Sequence, residues 1–108
     1  MRENSKFVVV VTTTDTKKES EKLVDSVLEE RLAACAQVFE IESHYWWKGK
    51  LEKAMEYRID FKTKSKLARK LMERIKALHS YEVPELIVLP IIDGEKNYLE
   101  WIEKETKD

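Results

Sequence analysis

The chain has 108 residues, of which 43% are apolar and 38% charged; that length suits one hydrophobic core, and that balance excludes wholesale disorder. Twenty Lys and Arg against 21 Asp and Glu leave a net charge of −1, so no overall field draws the chain to nucleic acid or to an anionic membrane. One cysteine, Cys35, excludes an intrachain disulfide and cannot alone hold a structural zinc or an iron–sulfur cluster.

Met1–Lys6 is too polar and too short for a signal peptide, and Phe7–Val11 is too short to cross a bilayer. With the lone cysteine, this predicts a cytoplasmic protein of one domain, 1–108, with a folded core of about 7–105. Phe7-Val8-Val9-Val10-Val11 reads as a central strand buried on both faces. Thr12-Thr13-Thr14-Asp15 reads as a loop, with Thr16 as the N-cap of a helix and Glu19 as its capping-box partner. From Lys17 to about Ala34 the period is helical, with Leu23, Val24, Val27, Leu28 and Leu32 on one side.

At Val38 the period becomes two. Phe39, Ile41, Ser43 and Tyr45 share one face; Glu40, Glu42, His44 and Trp46 share the other. Lys48-Gly49-Lys50 marks a turn, with glycine free to adopt positive φ. In the return strand Met55, Tyr57, Ile59, Phe61 and Thr63 face one way and the charged residues between them the other, which predicts a sheet with helices on one side only. Ser65 caps a second helix whose seam is Leu67, Leu71, Ile75 and Leu78. His79–Pro84 is a loop, Leu86–Leu89 an apolar strand, and Pro90 predicts an edge position. After a turn at Asp93-Gly94, a last helix spans Glu95 to Thr106, with Tyr98, Trp101 and Ile102 on its buried side.

The order β-α-β-β-α-β-α, with right-handed crossovers, predicts an α+β fold: a ferredoxin-like β-α-β-β-α-β sandwich with a long β-hairpin and an extra C-terminal helix, the first and third strands central. Val38–Thr63 is longer than a plain domain of this size needs. Tyr45, Trp46 and Trp47 stand beside its turn, where each large ring buries about 150–250 Å² if covered. The hairpin is therefore expected to reach onto a second copy, and these three aromatics to form an oligomer interface.

Catalytic signals are sparse. Two glycines allow no Gly-rich phosphate loop, and no nucleophile elbow, H-E-x-x-H or C-x-x-C spacing occurs. The same strand order occurs in RNA-recognition modules and acylphosphatases. Lys50–Phe61 lacks the aromatic run of the former, and Thr12–Lys17 lacks the glycine-rich cradle of the latter. His79 is a candidate metal ligand or proton carrier, with Glu52, Glu56 and Glu82 as oxygen donors. Its alternative is local bonding at the end of the second helix. His44 reads as a hairpin residue, and Cys35 as a small buried hydrophobe or a soft ligand.

Several segments resemble one family in order along the chain. Arg31-Leu32-Ala33-Ala34-Cys35, Tyr45-Trp46-Trp47-Lys48-Gly49-Lys50 with Glu52, Phe61-Lys62-Thr63, His79-Ser80-Tyr81-Glu82-Val83-Pro84-Glu85 and Tyr98-Leu99-x-Trp101 are similar to motifs of the CutA divalent-cation tolerance proteins, over roughly residues 7 to 105. The resemblance implies a homotrimer with a PII-like arrangement, cytoplasmic, non-enzymatic and linked to copper and other divalent ions. It requires no cofactor; Cu²⁺ or Zn²⁺ would be its ligand, with His79 and Cys35 as metal ligands. Lys50, Glu52, Glu56, Tyr81 and Glu82 would then gather in an intersubunit cleft. A PII-like signalling or scaffold trimer for a small anion or a partner protein is the alternative. Ser80 stands where the family usually has proline, and Val11 and Leu78 where some members have further metal ligands.

Overall fold

The computed structural model describes residues 5–108; Met1–Asn4, and with them most of the segment read as too polar for a signal peptide, lie outside the described residues. Strand β1 spans Phe7–Thr14, helix α1 Lys17–Glu29, β2 Cys35–Trp47, β3 Lys50–Lys64, α2 Ala68–Leu78, β4 Ile87–Ile91 and α3 Lys96–Glu105. The four strands form one antiparallel sheet in the order β2-β3-β1-β4. This is the ferredoxin-like arrangement, with β1 and β3 central and Pro90 on the edge strand, where its missing N–H costs no ladder bond.

The core lies between the sheet and helices α1 and α2. Val8 and Val10 of β1 and Ile59 and Phe61 of β3 meet Leu23 and Val27 of α1 and Leu71 and Ile75 of α2. The expected spacing of apolar residues on both helices is thus the spacing that packs.

Several boundaries differ from expectation. Thr12–Thr14 continues β1, because β3 pairs with it as far as Thr14 opposite Tyr57. Thr16 does cap α1, accepting from the Glu19 N–H at 3.1 Å. The reciprocal half of the capping box is not made, and Glu19 Oε1 is buried without a partner among the described residues. Ser65 opens a single 3₁₀ turn ahead of α2.

Helix α1 stops at Glu29, five residues short of Ala34. Arg31 takes φ 56°; its N–H donates to Leu28 O at 3.0 Å, and that of Leu32 to Val27 O at 3.1 Å. This is a Schellman stop with arginine in the place glycine usually takes. The end of α3 holds it there: Lys107 N–H donates to Arg31 O at 2.9 Å, and the Arg31 guanidinium reaches the Glu105 carbonyl and carboxylate at 3.1 and 3.2 Å.

The sheet is covered on more than one side. Lys62 and Lys64 point away from α1 and α2 and meet α3, whose Tyr98 and Glu103 accept their ammonium protons at 3.2 and 3.1 Å. Ile102 of α3 is fully buried, but Tyr98 and Trp101 stack at 5.6 Å and stay half-exposed, contrary to their expected burial. The hairpin outruns both helical layers and stretches the molecule to 44 Å against a thickness of 21 Å. Met55, expected on the buried face, is therefore exposed.

Candidate functional site

The hairpin sorts its aromatics by strand alternation. In the ladder Trp47 stands opposite Lys50, Trp46 opposite Leu51 and Tyr45 opposite Glu52. Paired residues share a face, so Trp46, Leu51 and Met55 lie on one side, and Tyr45 and Trp47 on the other with Glu56. Among the described residues Trp46 is the most exposed of the large apolar side chains, at 72%.

The loop after α2 is tied beneath the second side. The Tyr81 backbone N–H donates to His79 Nδ1 at 3.0 Å. An accepting Nδ1 leaves the proton on Nε2, which donates to the Thr13 carbonyl at 2.7 Å. Both ring nitrogens are thereby engaged. The Tyr81 hydroxyl donates to Glu56 Oε2 at 2.6 Å. Burial first, and then the Glu56 carboxylate, push the Tyr81 phenol well above its ordinary 10.0. The His79 and Tyr81 rings lie 4.8 Å apart.

Hairpin and loop enclose a cleft of about 540 Å³, within the range of small-molecule sites. Thr13, Ser43, His44, Tyr45, Trp47, Glu56, Tyr81, Glu82, Val83 and Glu85 line it. Three carboxylates and three large aromatic rings face it, with no lysine or arginine among the described residues of its wall.

Of the residues expected in a cleft, Glu56, Tyr81 and Glu82 meet here within one chain. Lys50 and Glu52 are on the hairpin outside its wall. Cys35 lies elsewhere: it is opposite Lys62, whereas Thr13, to which His79 is bonded, is opposite Arg58. Four residues of strand separate those rows, about 13 Å. The Cys35 thiol contacts the Tyr98 hydroxyl at 3.8 Å. No three His, Cys, Asp or Glu side chains are grouped to hold a metal ion among the described residues.

Thr13 and Glu85 line the cleft although the sequence assigns neither a site role. The sequence reads Thr13 as part of a loop, and only its ladder position beside Arg58 brings it to the cleft. Glu85 belongs to the loop motif, and its place near Glu82, across the proline, is the signal in the sequence that points to it.

The architecture belongs to the ferredoxin-like α+β class, elaborated by an overlong hairpin that walls an acidic, aromatic cleft. The model of the CutA1 divalent ion tolerance protein family matches residues 8–105, and the chain belongs to that family. It is 42% identical over 101 residues to the divalent-cation tolerance protein CutA of Pyrococcus horikoshii, covering 94% of this chain and 99% of that one. It is 41% identical to the chloroplastic protein CutA 1 of rice over 94% of its length, but spans 58% of that longer relative. The crystal structure of CutA1 from Oryza sativa superposes with a TM-score of 0.92 at 40% identity, over 96% of each chain. That of the periplasmic divalent cation tolerance protein CutA from Archaeoglobus fulgidus gives 0.91 at 35% identity, over 94% of this chain and 99% of that one. No helix among the described residues is long and apolar enough to cross a membrane.

Proposed function

We propose that this chain is a single-domain, cytoplasmic, non-catalytic protein of divalent-metal tolerance that works as a homotrimer and binds ions such as Cu²⁺ or Zn²⁺. The observation that carries the reading is the charge of the cleft: Glu56, Glu82 and Glu85 face it, with no lysine or arginine among the described residues of its wall. Clustered like charge next to apolar walls concentrates cations. The same lining disfavours a small anion, since Lys50, the cation that would neutralise one, stands outside it. Glu82 and Glu85 are exposed at the rim. Carboxylates alone are too few there to close a coordination sphere, so a second protomer completes it.

Assembly is supported by the hairpin. Trp46, Leu51 and Met55 form an apolar strip on the face turned away from the cleft, each more than half exposed. At about 25 cal/mol per Å², covering that strip supplies several kcal/mol per chain. His79 enters metal binding by way of the loop: as placed, both its nitrogens are engaged, and its bonds hold Tyr81 and the segment carrying Glu82 and Glu85.

Light scattering tests the assembly, with a mass three times that of the 12.8 kDa chain expected and Trp46→Ala shifting it toward one. Calorimetric titration with Cu²⁺ and Zn²⁺ tests the site. Glu82→Gln with Glu85→Gln is expected to weaken binding at least about tenfold, or 1.4 kcal/mol. Unchanged affinity in that variant, with a loss in Cys35→Ala instead, would move the site to the soft thiol. Absence of binding below millimolar concentrations would remove direct metal binding.

A further inference from the structure

The inner end of the cleft is built differently from its rim. Glu56 is 7% exposed and Thr13 is 3% exposed, yet both line the cavity. Among the described residues the Glu56 carboxylate receives one hydrogen bond, from Tyr81 to Oε2, and the Thr13 hydroxyl makes none. The unpartnered oxygens sealed away from all space are those of Ser5, Thr12 and Glu19; those of Glu56 and Thr13 open into the cleft. A carboxylate oxygen and a hydroxyl held at the inner end of a cleft, where few waters reach, are acceptors that an entering N–H donor can engage.

Tyr81 stands against Glu56 with Tyr45 beside it on the same wall, while Trp47, opposite Lys50 and six residues of strand from Glu56, lines the outer end of the cleft. A bare divalent ion fits poorly. It needs several ligands converging at about 2.0–2.6 Å, and no such group exists among the described residues. A cavity of 540 Å³ is far larger than one ion. A cation with an organic body uses every part of the arrangement: charge against carboxylate, N–H donors to the open oxygens, and apolar or cationic surface against aromatic rings.

We propose that the inner cleft binds a protonated primary amine, with its ammonium donating to Glu56 Oε1 and Thr13 Oγ1 and its apolar body held between Tyr45 and Tyr81. The proposal rests on the reading of the cleft as a cation site and extends it to a second class of ligand, bound deeper than the rim carboxylates. Tyr81 positions the Glu56 carboxylate by holding its other oxygen. A quaternary ammonium carries the same charge but no N–H, so it cannot satisfy the two buried acceptors.

The full chain, in its native assembly, is titrated with phenethylammonium and followed by tryptophan fluorescence and calorimetry. Saturable binding below millimolar concentration is expected, weakened at least tenfold in Glu56→Gln and several-fold in Thr13→Val. The quaternary analogue phenethyltrimethylammonium is expected to bind at least tenfold more weakly than the amine. Circular dichroism of both variants shows whether they remain folded, and Thr13→Val, which removes no charge, serves if Glu56→Gln does not. Absence of saturable binding, equal affinity for the two ammonium ions, or unchanged affinity in a folded variant overturns the proposal. A Zn²⁺ titration beside it separates the two readings: Glu82→Gln with Glu85→Gln abolishing metal but not amine binding supports two subsites, whereas amine binding lost with the rim pair and retained in Glu56→Gln removes the inner one.

Discussion

Tyr81 and Glu56, 25 positions apart in the chain, meet at 2.6 Å: the phenol on the loop donates to a carboxylate buried in the middle of β3. That bond closes the floor of the cleft, and it makes the loop's position depend on pH. The phenol is raised above its ordinary 10.0, by burial first and by Glu56 second. A raised folded-state value contributes stability that is complete below the unfolded value and is lost as pH rises toward the folded one.

The native protein is therefore expected to lose urea stability as pH rises through 10.0, the value at which an ordinary tyrosine is half ionised. Tyr81→Phe costs about 1.5 kcal/mol at neutral pH, the usual worth of a bond to a charged acceptor, and shows a shallower alkaline decline. Parallel declines in the two proteins would mean that Tyr81 is not the titrating group.

The Lys64 side chain is only 4% exposed, with Glu103 on α3 at 3.1 Å. Glu103 is itself half-exposed, so water reaches one end of the pair and screens it. Glu103→Ala is expected to cost about 1–3 kcal/mol in urea unfolding, less than the full penalty for stranding a buried charge. Lys64→Met, of similar length and without charge, is expected to cost less than Glu103→Ala. The reverse order would mean that the ammonium, not its burial, stabilises the α3 contact.

The hairpin turn offers substitutions of opposite sign. Lys48 takes φ 50° and Gly49 φ 80°, the pair of positive values a type I′ turn requires. Nothing lies within 4 Å of a methyl group built on Gly49, so Gly49→Ala isolates the backbone strain, about 1–2 kcal/mol. Lys48→Asn, a residue at ease in that region, is expected to stabilise by a few tenths of a kcal/mol. Thermal unfolding of both variants checks the pair.

Thr63 is fully buried on β3, and its hydroxyl donates to the Leu32 carbonyl at 2.7 Å, just past the turn that ends α1. Thr63→Val keeps the shape and strands that carbonyl. A loss of about 1–3 kcal/mol is expected, with Thr63→Ser recovering the bond but leaving a methyl-sized void. Equal loss in both variants would assign the effect to packing rather than to the hydroxyl.

Much of this molecule is legible in one dimension. Val8–Val11 announces a buried strand because β-branched residues fill both faces of a central position. Period two across Val38–Thr63 announces the hairpin, and Leu67, Leu71, Ile75 and Leu78 announce a helix with one buried side. These are local patterns, and the strand order follows from them through the handedness of the crossovers. The family motifs likewise stand in the sequence as contiguous runs.

What escaped the sequence depends on contacts between distant segments. Arg31 carries no sign of the left-handed stop it makes, because glycine usually marks that position and the arginine is held there by Glu105 and Lys107 from the far end of the chain. The second covering of the sheet depends on α3 returning to Lys62 and Lys64. The site depends on it in part: the sequence names Glu56, Tyr81 and Glu82 for a cleft and His79 as a candidate ligand or a locally bonded ring, but reads Thr13 as part of a loop. Only the tertiary structure seals the carboxylate and the hydroxyl into one acidic cleft and engages both imidazole nitrogens, because burial and hydrogen-bond partnership belong to the packed chain and not to any local stretch of it.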